Sequence, residues 1–165
     1  MTASTPGRLQ LDGHCLIVLE RTLLAAAPDE GCALLMGQRQ SSRLFLQAIW
    51  PCRNTWQPAE ERPQRFRLDP REQLLAQRWG RSRGLLVIGA AHSHPSSEAV
   101  PSATDRHLCV GPTLMLIRSG LHQGLPALRA WWIPEIEGGD EPPAAPTELP
   151  IDLLPDAPRS ERLGE

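Results

Sequence analysis

The uncharged run Leu85-Leu86-Val87-Ile88-Gly89-Ala90-Ala91 ends directly in His92-Ser93-His94-Pro95. An apolar run this short and continuous, opening after Gly84, predicts a strand buried on both faces; a helix of that length would be too short to stand alone. Side chains of a strand alternate in direction. His92 and His94 therefore point the same way and reach one ion if extended backbone persists three residues beyond Ala91. Ser102-Ala103-Thr104-Asp105, after Pro101, has the form of a helix start, with Ser at the N-cap and an acid at N3. Asp105 also offers an oxygen ligand, and the two roles are compatible because a cap fixes where the carboxylate projects. The joint pattern His-x-His-Pro-x6-Ser-x2-Asp arises by chance in about one such sequence in ten thousand, with positions treated as independent.

These residues resemble the metal-binding signature of the JAMM (MPN-plus/Mov34) zinc metallopeptidases of compact bacterial type, which also includes a glutamate on an upstream element. Glu30 matches it. Pro28-Asp29-Glu30-Gly31-Cys32-Ala33-Leu34-Leu35-Met36-Gly37 is similar to the family's Pro-x-Glu-x-Cys-Gly-x-Leu-x-Gly, with Ala33 replacing a glycine, a departure that concerns backbone packing. The resemblance spans residues 9 to 133. It implies an α+β (α/β-like) fold, a mixed β-sheet flanked by helices with a cytidine-deaminase-like architecture. It also implies one Zn2+ per chain held by His92, His94 and Asp105, with Glu30 and Ser102 as catalytic residues. The implied substrate and partner is a ubiquitin-like sulfur-carrier protein with a C-terminal Gly-Gly, cut after its last glycine.

The chemistry suits those residue types. Two imidazoles and one carboxylate leave the fourth position of a tetrahedral zinc open, as a catalytic site requires. Water there has its pKa lowered from about 15.7 towards 7, and Glu30 is placed to take its proton and return it to the leaving amine. The Ser102 hydroxyl is the candidate donor to the oxyanion, a type of contact typically worth about 3 kcal/mol. A Gly-Gly tail has no side chains to fill pockets, so the expectation is a backbone held as an added strand, walled by the Pro95 to Pro101 loop and the hairpin near Ser42 to Trp50.

Other zinc hydrolases fit less well. A deaminase needs His-x-Glu and Pro-Cys-x-x-Cys, but His92 is followed two on by His94, and Pro51-Cys52 meets Thr55 where the second cysteine belongs. The thermolysin-type His-Glu-x-x-His is absent. Two alternatives stay open: a RadC-like DNA-repair-associated protein, echoed by Ser96 and Pro101, and a non-catalytic MPN scaffold.

At 165 residues the chain is long enough for one core without disulfides. Cys15, Cys32, Cys52 and Cys109 show no paired spacing, and Cys32 is expected in the core. With no signal-peptide pattern and no apolar run near 18 residues, the expectation is a cytoplasmic protein without a membrane partner. Residues 134–165 carry nine acids against Arg159 and Arg162, a net of −7, and seven of the 17 prolines. Residues 1–133, with ten acids and fifteen arginines, stand at +5, too modest to demand nucleic acid. The chain thus divides into a domain over 1–133 and an acidic, Pro-rich tail over 134–165. The tail is expected to be disordered and dispensable for folding, with the basic body as the surface of opposite charge on which it can lie.

Leu16, Leu19, Leu23 and Leu24 predict a helix from about His14 to Ala27, stopped by Pro28. Cys32 to Met36 and Leu44 to Trp50 predict a hairpin, and residues 51–64 a surface loop. Asp69-Pro70-Arg71-Glu72 supplies an N-cap, a proline at N1 and an acid at N3. With Leu75 and Trp79 four apart, it predicts a second helix to about Arg81. A short helix from Ser102 to about Cys109 and strands near Leu114 to Arg118 and Ala127 to Ile133 complete the body. Trp131-Trp132 is expected at the rim of the core.

Overall fold

The histidine-bearing strand is the centre of a mixed sheet. In the computed structural model, which describes residues 4–109, 111–123, 127–135 and 144–156, β4 (Leu86–His94) keeps extended backbone through both histidines. The strands before it are β1 (Arg8–Asp12), β2 (Cys32–Gln40) and β3 (Arg43–Cys52); those after it are β5 (Thr113–Ser119), β6 (Leu128–Ile133), β7 (Thr147–Leu149) and β8 (Ile151–Leu154). β2 pairs antiparallel on one side of β4, with Cys32 opposite His92, and β5 pairs parallel on the other, with Ile117 opposite His92. The full order is β7-β6-β5-β4-β2-β3-β1-β8. With its helices this is the expected α+β architecture.

Three helices form where leucine spacing, for the first, and caps, for the other two, predict. In α1 (Gly13–Leu24) the Asp12 carboxylate accepts the Cys15 N–H at 2.7 Å, and Cys15, Leu19 and Leu23 are buried. In α2 (Pro70–Arg81) Asp69 accepts from the Arg71 N–H, with proline in the first turn. Its inner face differs from the expected one: Ala76 and Gly80 are buried, whereas Leu75 is 49% exposed. The reason is closeness of packing, because a Cβ on Gly80 would lie 2.5 Å from the Met36 methyl carbon and 2.7 Å from the Leu85 carbonyl oxygen. α3 is the short helix Ala103–Leu108.

The hairpin runs farther than its apolar segments. Gln38-Arg39-Gln40 continue β2, and the turn contracts to Ser41-Ser42, with Ser41 at φ 56. Alternation then assigns the sheet faces. Leu35, Ala91, Leu114 and Leu116 pack with α1, while Leu34, Met36 and Ala90 pack with α2. Trp132 is buried in the first core, and Trp131 stays at the rim with its indole N–H on the Ala99 carbonyl at 2.9 Å.

The tail assignment requires correction. β7 pairs antiparallel with β6, and β8 pairs parallel with β1, although only Pro150 separates them. One residue therefore joins opposite ends of the strand order, and the sheet closes on itself around the core that contains α1 and Leu149. Its acids meet arginines of the body: Glu148 pairs with Arg129 at 2.6 Å and Asp152 with Arg8 at 2.8 Å. Average composition hid this segment because Leu149, Ile151 and Leu153 alternate over too few residues to offset the surrounding prolines and acids. Residues 136–143 and 157–165 of the expected tail lie outside the described residues. Among the described residues, no helix is long and apolar enough to cross a membrane.

Candidate metal centre and active site

Sheet alternation places His92 and His94 on one face of β4, and α3 brings Asp105 against them. The His92 Nε2 and His94 Nε2 atoms are 3.1 Å apart, and each lies 3.0 Å from Asp105 Oδ2. All three side chains are buried. The His94 Nδ1–H donates to the Glu98 carbonyl at 2.7 Å, which leaves the Nε2 of the neutral ring as a lone pair aimed at the cluster.

That arrangement tests the fit of a metal. With neutral rings, only the His92 Nε2 can carry a proton, so three mutually touching lone-pair atoms share at most one hydrogen. Such a set is stable around a cation. Two imidazoles and one carboxylate oxygen are a donor set suited to zinc, and the three ligand atoms lie within 4.8 Å of one another. Without an ion, the crowding of these groups shows in their titration directions. Burial disfavours charge on Asp105 and His94 alike. Contacts with both histidines nevertheless hold the Asp105 carboxyl well below its usual range, and the Asp105 contact, the Glu98 carbonyl and the charges of Asp105 and Glu30 raise His94. His92, completely buried, is lowered by desolvation, which outweighs Asp105.

Asp105 is fixed by the expected cap. Ser102 Oγ accepts the Asp105 N–H at 3.0 Å, and Asp105 Oδ2 accepts the Ser102 N–H at 2.9 Å. Ser102 itself is exposed, and its hydroxyl hydrogen is left over from this exchange. Glu30 arrives from the turn before β2 and is 3% exposed. Its Oε1 is 3.9 Å from His94 Nε2, and its Oε2 has no hydrogen-bond partner among the described residues. Burial pushes the Glu30 carboxyl up to about 8, opposed by His94 and reinforced by Asp105. His92, His94 and Asp105 thus meet at one point, with Glu30 beside His94 and Ser102 hydrogen-bonded to Asp105. Cys32 is core as expected, its thiol pushed up to about 12 by burial, with Cys52 and Glu30 adding to the rise.

Several positioning contacts carry no sequence signal. Buried Ser93, between the histidines, accepts the Gly31 N–H at 2.8 Å. Only glycine fits there, since a Cβ on Gly31 would lie 2.2 Å from the Leu23 carbonyl oxygen. The Pro95 to Pro101 loop is tied down by the Ser119 hydroxyl on the Ser97 carbonyl at 2.7 Å and by the Gly120 N–H on the His94 carbonyl at 2.9 Å. Phe66 stacks on His92 with centroids 4.4 Å apart and planes 19° from parallel. Beside that stack lies a cleft of about 280 Å³ lined by residues including Phe66, Leu68, Ala90, His92, Asp105 and Met115. Neither expected wall, the Pro95 to Pro101 loop or the hairpin near Ser42 to Trp50, is part of that lining. Strand addition to β4 is also excluded, because β2 and β5 occupy both its edges.

Residues 15–134 match the family described as prokaryotic homologs of the JAB domain. The chain belongs to this JAB-domain family. Over 85 residues it is 36% identical to the desampylase of Haloferax volcanii, covering 52% of this chain and 58% of that protein. It is equally identical, over 85 residues, to the CysO-cysteine peptidases of Mycobacterium bovis and Mycobacterium tuberculosis, covering 52% of this chain and 54% of theirs. The chain therefore spans little more than half the length of the curated relatives it matches. Among solved structures, a Desulfitobacterium hafniense protein superimposes with a TM-score of 0.76 at 29% identity, over 90% of this chain and 94% of that one. A Salinibacter ruber protein does so with a TM-score of 0.59 at 25% identity, over 91% and 93%.

Proposed function

We propose that this JAB-domain chain is a zinc metallopeptidase that hydrolyses the bond after the C-terminal glycine of a ubiquitin-like sulfur-carrier protein. The observation that carries the reading is the convergence of His92, His94 and Asp105 on one point, with the Glu30 carboxylate 3.9 Å from His94. His92, His94 and Asp105 would hold the ion. Bound there, zinc supplies a Lewis acid and lowers the pKa of a coordinated water towards about 7.

The chain's own groups supply the rest. Glu30, buried and with one oxygen unpartnered, takes a proton from the attacking water and passes it to the leaving amine. Ser102 Oγ, held by the Asp105 N–H, directs its own hydrogen to the oxyanion. The cleft beside His92 gives a narrow, largely apolar path for a side-chain-free tail, and recognition falls mainly to the carrier's folded body. The desampylase and CysO-cysteine peptidase names support this substrate class. The presence of all five side chains favours catalysis over a scaffold role. Four free cysteines accord with a reducing cytoplasm.

The test is intact-mass analysis of a ubiquitin-like sulfur carrier extended beyond its Gly-Gly, incubated with zinc-loaded protein, beside a free peptide of the same last residues. Loss of the extension from the carrier alone is expected. Equal rates would indicate a general peptidase, and no cleavage of any carrier would favour the scaffold.

A further inference from the structure

The two histidines are oriented by different means. The Nδ1 of His94 is held by the Glu98 carbonyl, but the buried Nδ1 of His92 has no hydrogen-bond partner among the described residues. A metal-binding imidazole ordinarily uses that second nitrogen to fix its ring. In its place, His92 has the face of Phe66 stacked on it at 4.4 Å.

Phe66 lies in residues 53–69, where regular structure is confined to the 3-10 turn Ala59–Glu61. Its position must therefore come from side chains, and one side chain grips both of its neighbours. Asn54 Nδ2 donates to the Arg65 carbonyl at 2.8 Å, and Asn54 Oδ1 accepts the Arg67 N–H at 3.2 Å. The second Nδ2 hydrogen goes to the Glu30 carbonyl at 3.0 Å, and Oδ1 also accepts the Trp56 N–H at 3.0 Å. Both donors and both acceptor positions of the amide are used. Thr55 adds its N–H and hydroxyl to the Arg67 carbonyl at 2.9 and 3.1 Å.

We infer that Asn54 and Phe66 form a clamp that orients His92 for metal binding and, through the Glu30 carbonyl, ties the same loop to the glutamate turn. Both are positioning residues, and the inference rests on the metal-site reading above. Asparagine is required because the clamp needs two donors and an acceptor on one short planar group. Aspartate has the shape but would set an oxygen against two carbonyls. Phe66 is required for its flat ring, which fixes a plane that a branched aliphatic side chain would leave free to turn.

The test is the zinc dissociation constant of the full chain, measured by competition with a chromophoric chelator and with no substrate present. Phe66→Leu and Asn54→Asp should each weaken binding about 10- to 100-fold, the range found when groups orienting a metal ligand are removed. Phe66→Tyr, which keeps the ring, should restore the wild-type value. The visible spectrum of the cobalt-substituted protein should change in Phe66→Leu and not in Phe66→Tyr. Thermal unfolding of the zinc-free variants identifies any chain that fails to fold, and Phe66→Met then replaces Phe66→Leu in the comparison. A folded Phe66→Leu or Asn54→Asp protein that binds zinc as tightly as wild type overturns the clamp. A wild-type chain that binds no zinc overturns the metal reading beneath it. Substrate does not enter the measurement, so failure of the peptidase reading has no effect on it.

Discussion

Ser102 and Asp105 hold each other by reciprocal hydrogen bonds, and the Asp105 oxygen that accepts the Ser102 N–H also faces both histidines. The first turn of α3 and the third ligand of the metal site are thus one structural unit. Ser102→Ala removes the acceptor for the Asp105 N–H and the proposed oxyanion donor together. It should cost about 1 kcal/mol of stability, as cap removals do. It should also lower turnover by about two to three orders of magnitude. Denaturant unfolding and steady-state kinetics on the same preparation measure the two effects. Full activity in a protein that has lost cap stability would remove Ser102 from the chemistry.

Glu30→Gln preserves shape but cannot take a proton, so it should retain zinc and fold while losing nearly all turnover. A second consequence is thermodynamic and concerns the zinc-free protein. The Glu30 carboxyl is raised from its ordinary 4.5 to about 8 in the folded state, chiefly by burial. Between those values the unfolded chain releases a proton that the folded chain keeps, so the stability associated with protonated Glu30 is lost as pH rises through this window. Melting temperatures of metal-free wild type should therefore fall relative to metal-free Glu30→Gln from pH 5 to pH 8. A constant difference across that range would show that burial does not perturb Glu30.

The last strands offer a test of how the sheet is closed. Leu149 is 3% exposed in the main core, and β7 and β8 bind opposite ends of the strand order across Pro150. Leu149→Ala should cost about 2 to 5 kcal/mol, the range for buried leucine truncation. Ending the chain at residue 146 should lower the melting temperature by more than that single change does. An unchanged melting temperature would return this segment to the dispensable tail that its composition suggests.

Legibility in the sequence followed the range of each signal. Asp69-Pro70 and Ser102 mark helix starts through contacts within three residues, and both helices begin there. The histidine pair is equally local, because strand alternation alone aligns His92 with His94. Glu30, sixty-two residues before His92, is visible only through the family pattern; no periodicity links the two. Asn54 and Phe66 were unreadable, since an irregular loop brings Asn54 to backbone groups far along the chain and Phe66 to the His92 ring. β1 and the Leu149 to Leu153 segment do alternate, as Leu9 and Leu11 show, but over too few residues to stand out from charged flanks.

Gly31 separates Glu30 from the core, and its hydrogen atom occupies space that no methyl group can enter. The Cβ of Gly31→Ala would sit 2.2 Å from the Leu23 carbonyl oxygen and 2.8 Å from the Leu23 Cα. Both are backbone atoms that cannot swing aside. The glutamate turn must then move, together with the Ser93 hydroxyl that accepts the Gly31 N–H. Gly31→Ala is expected to lower the melting temperature and turnover while zinc content stays near one per chain, because His92, His94 and Asp105 lie on other elements. Metal analysis beside kinetics checks this.

Zinc should report its own ligands through stability. A ligand that binds only the folded chain stabilises it by RT ln(1 + [L]/Kd), about 4 kcal/mol when free metal is a thousand times the dissociation constant. Zinc should therefore raise the melting temperature of wild type and of Glu30→Gln alike, since Glu30 is not among the three converging ligand atoms. His94→Ala removes one of those atoms, along with the ring nitrogen that donates to the Glu98 carbonyl. It should lose most of the metal-dependent gain, even where its metal-free melting temperature stays close to wild type. Glu98→Ala makes the complementary comparison: the contact with His94 uses the Glu98 backbone carbonyl, so deleting the exposed carboxylate should leave the zinc gain intact. A zinc gain in His94→Ala equal to that of wild type would mean that the ion binds elsewhere on the chain.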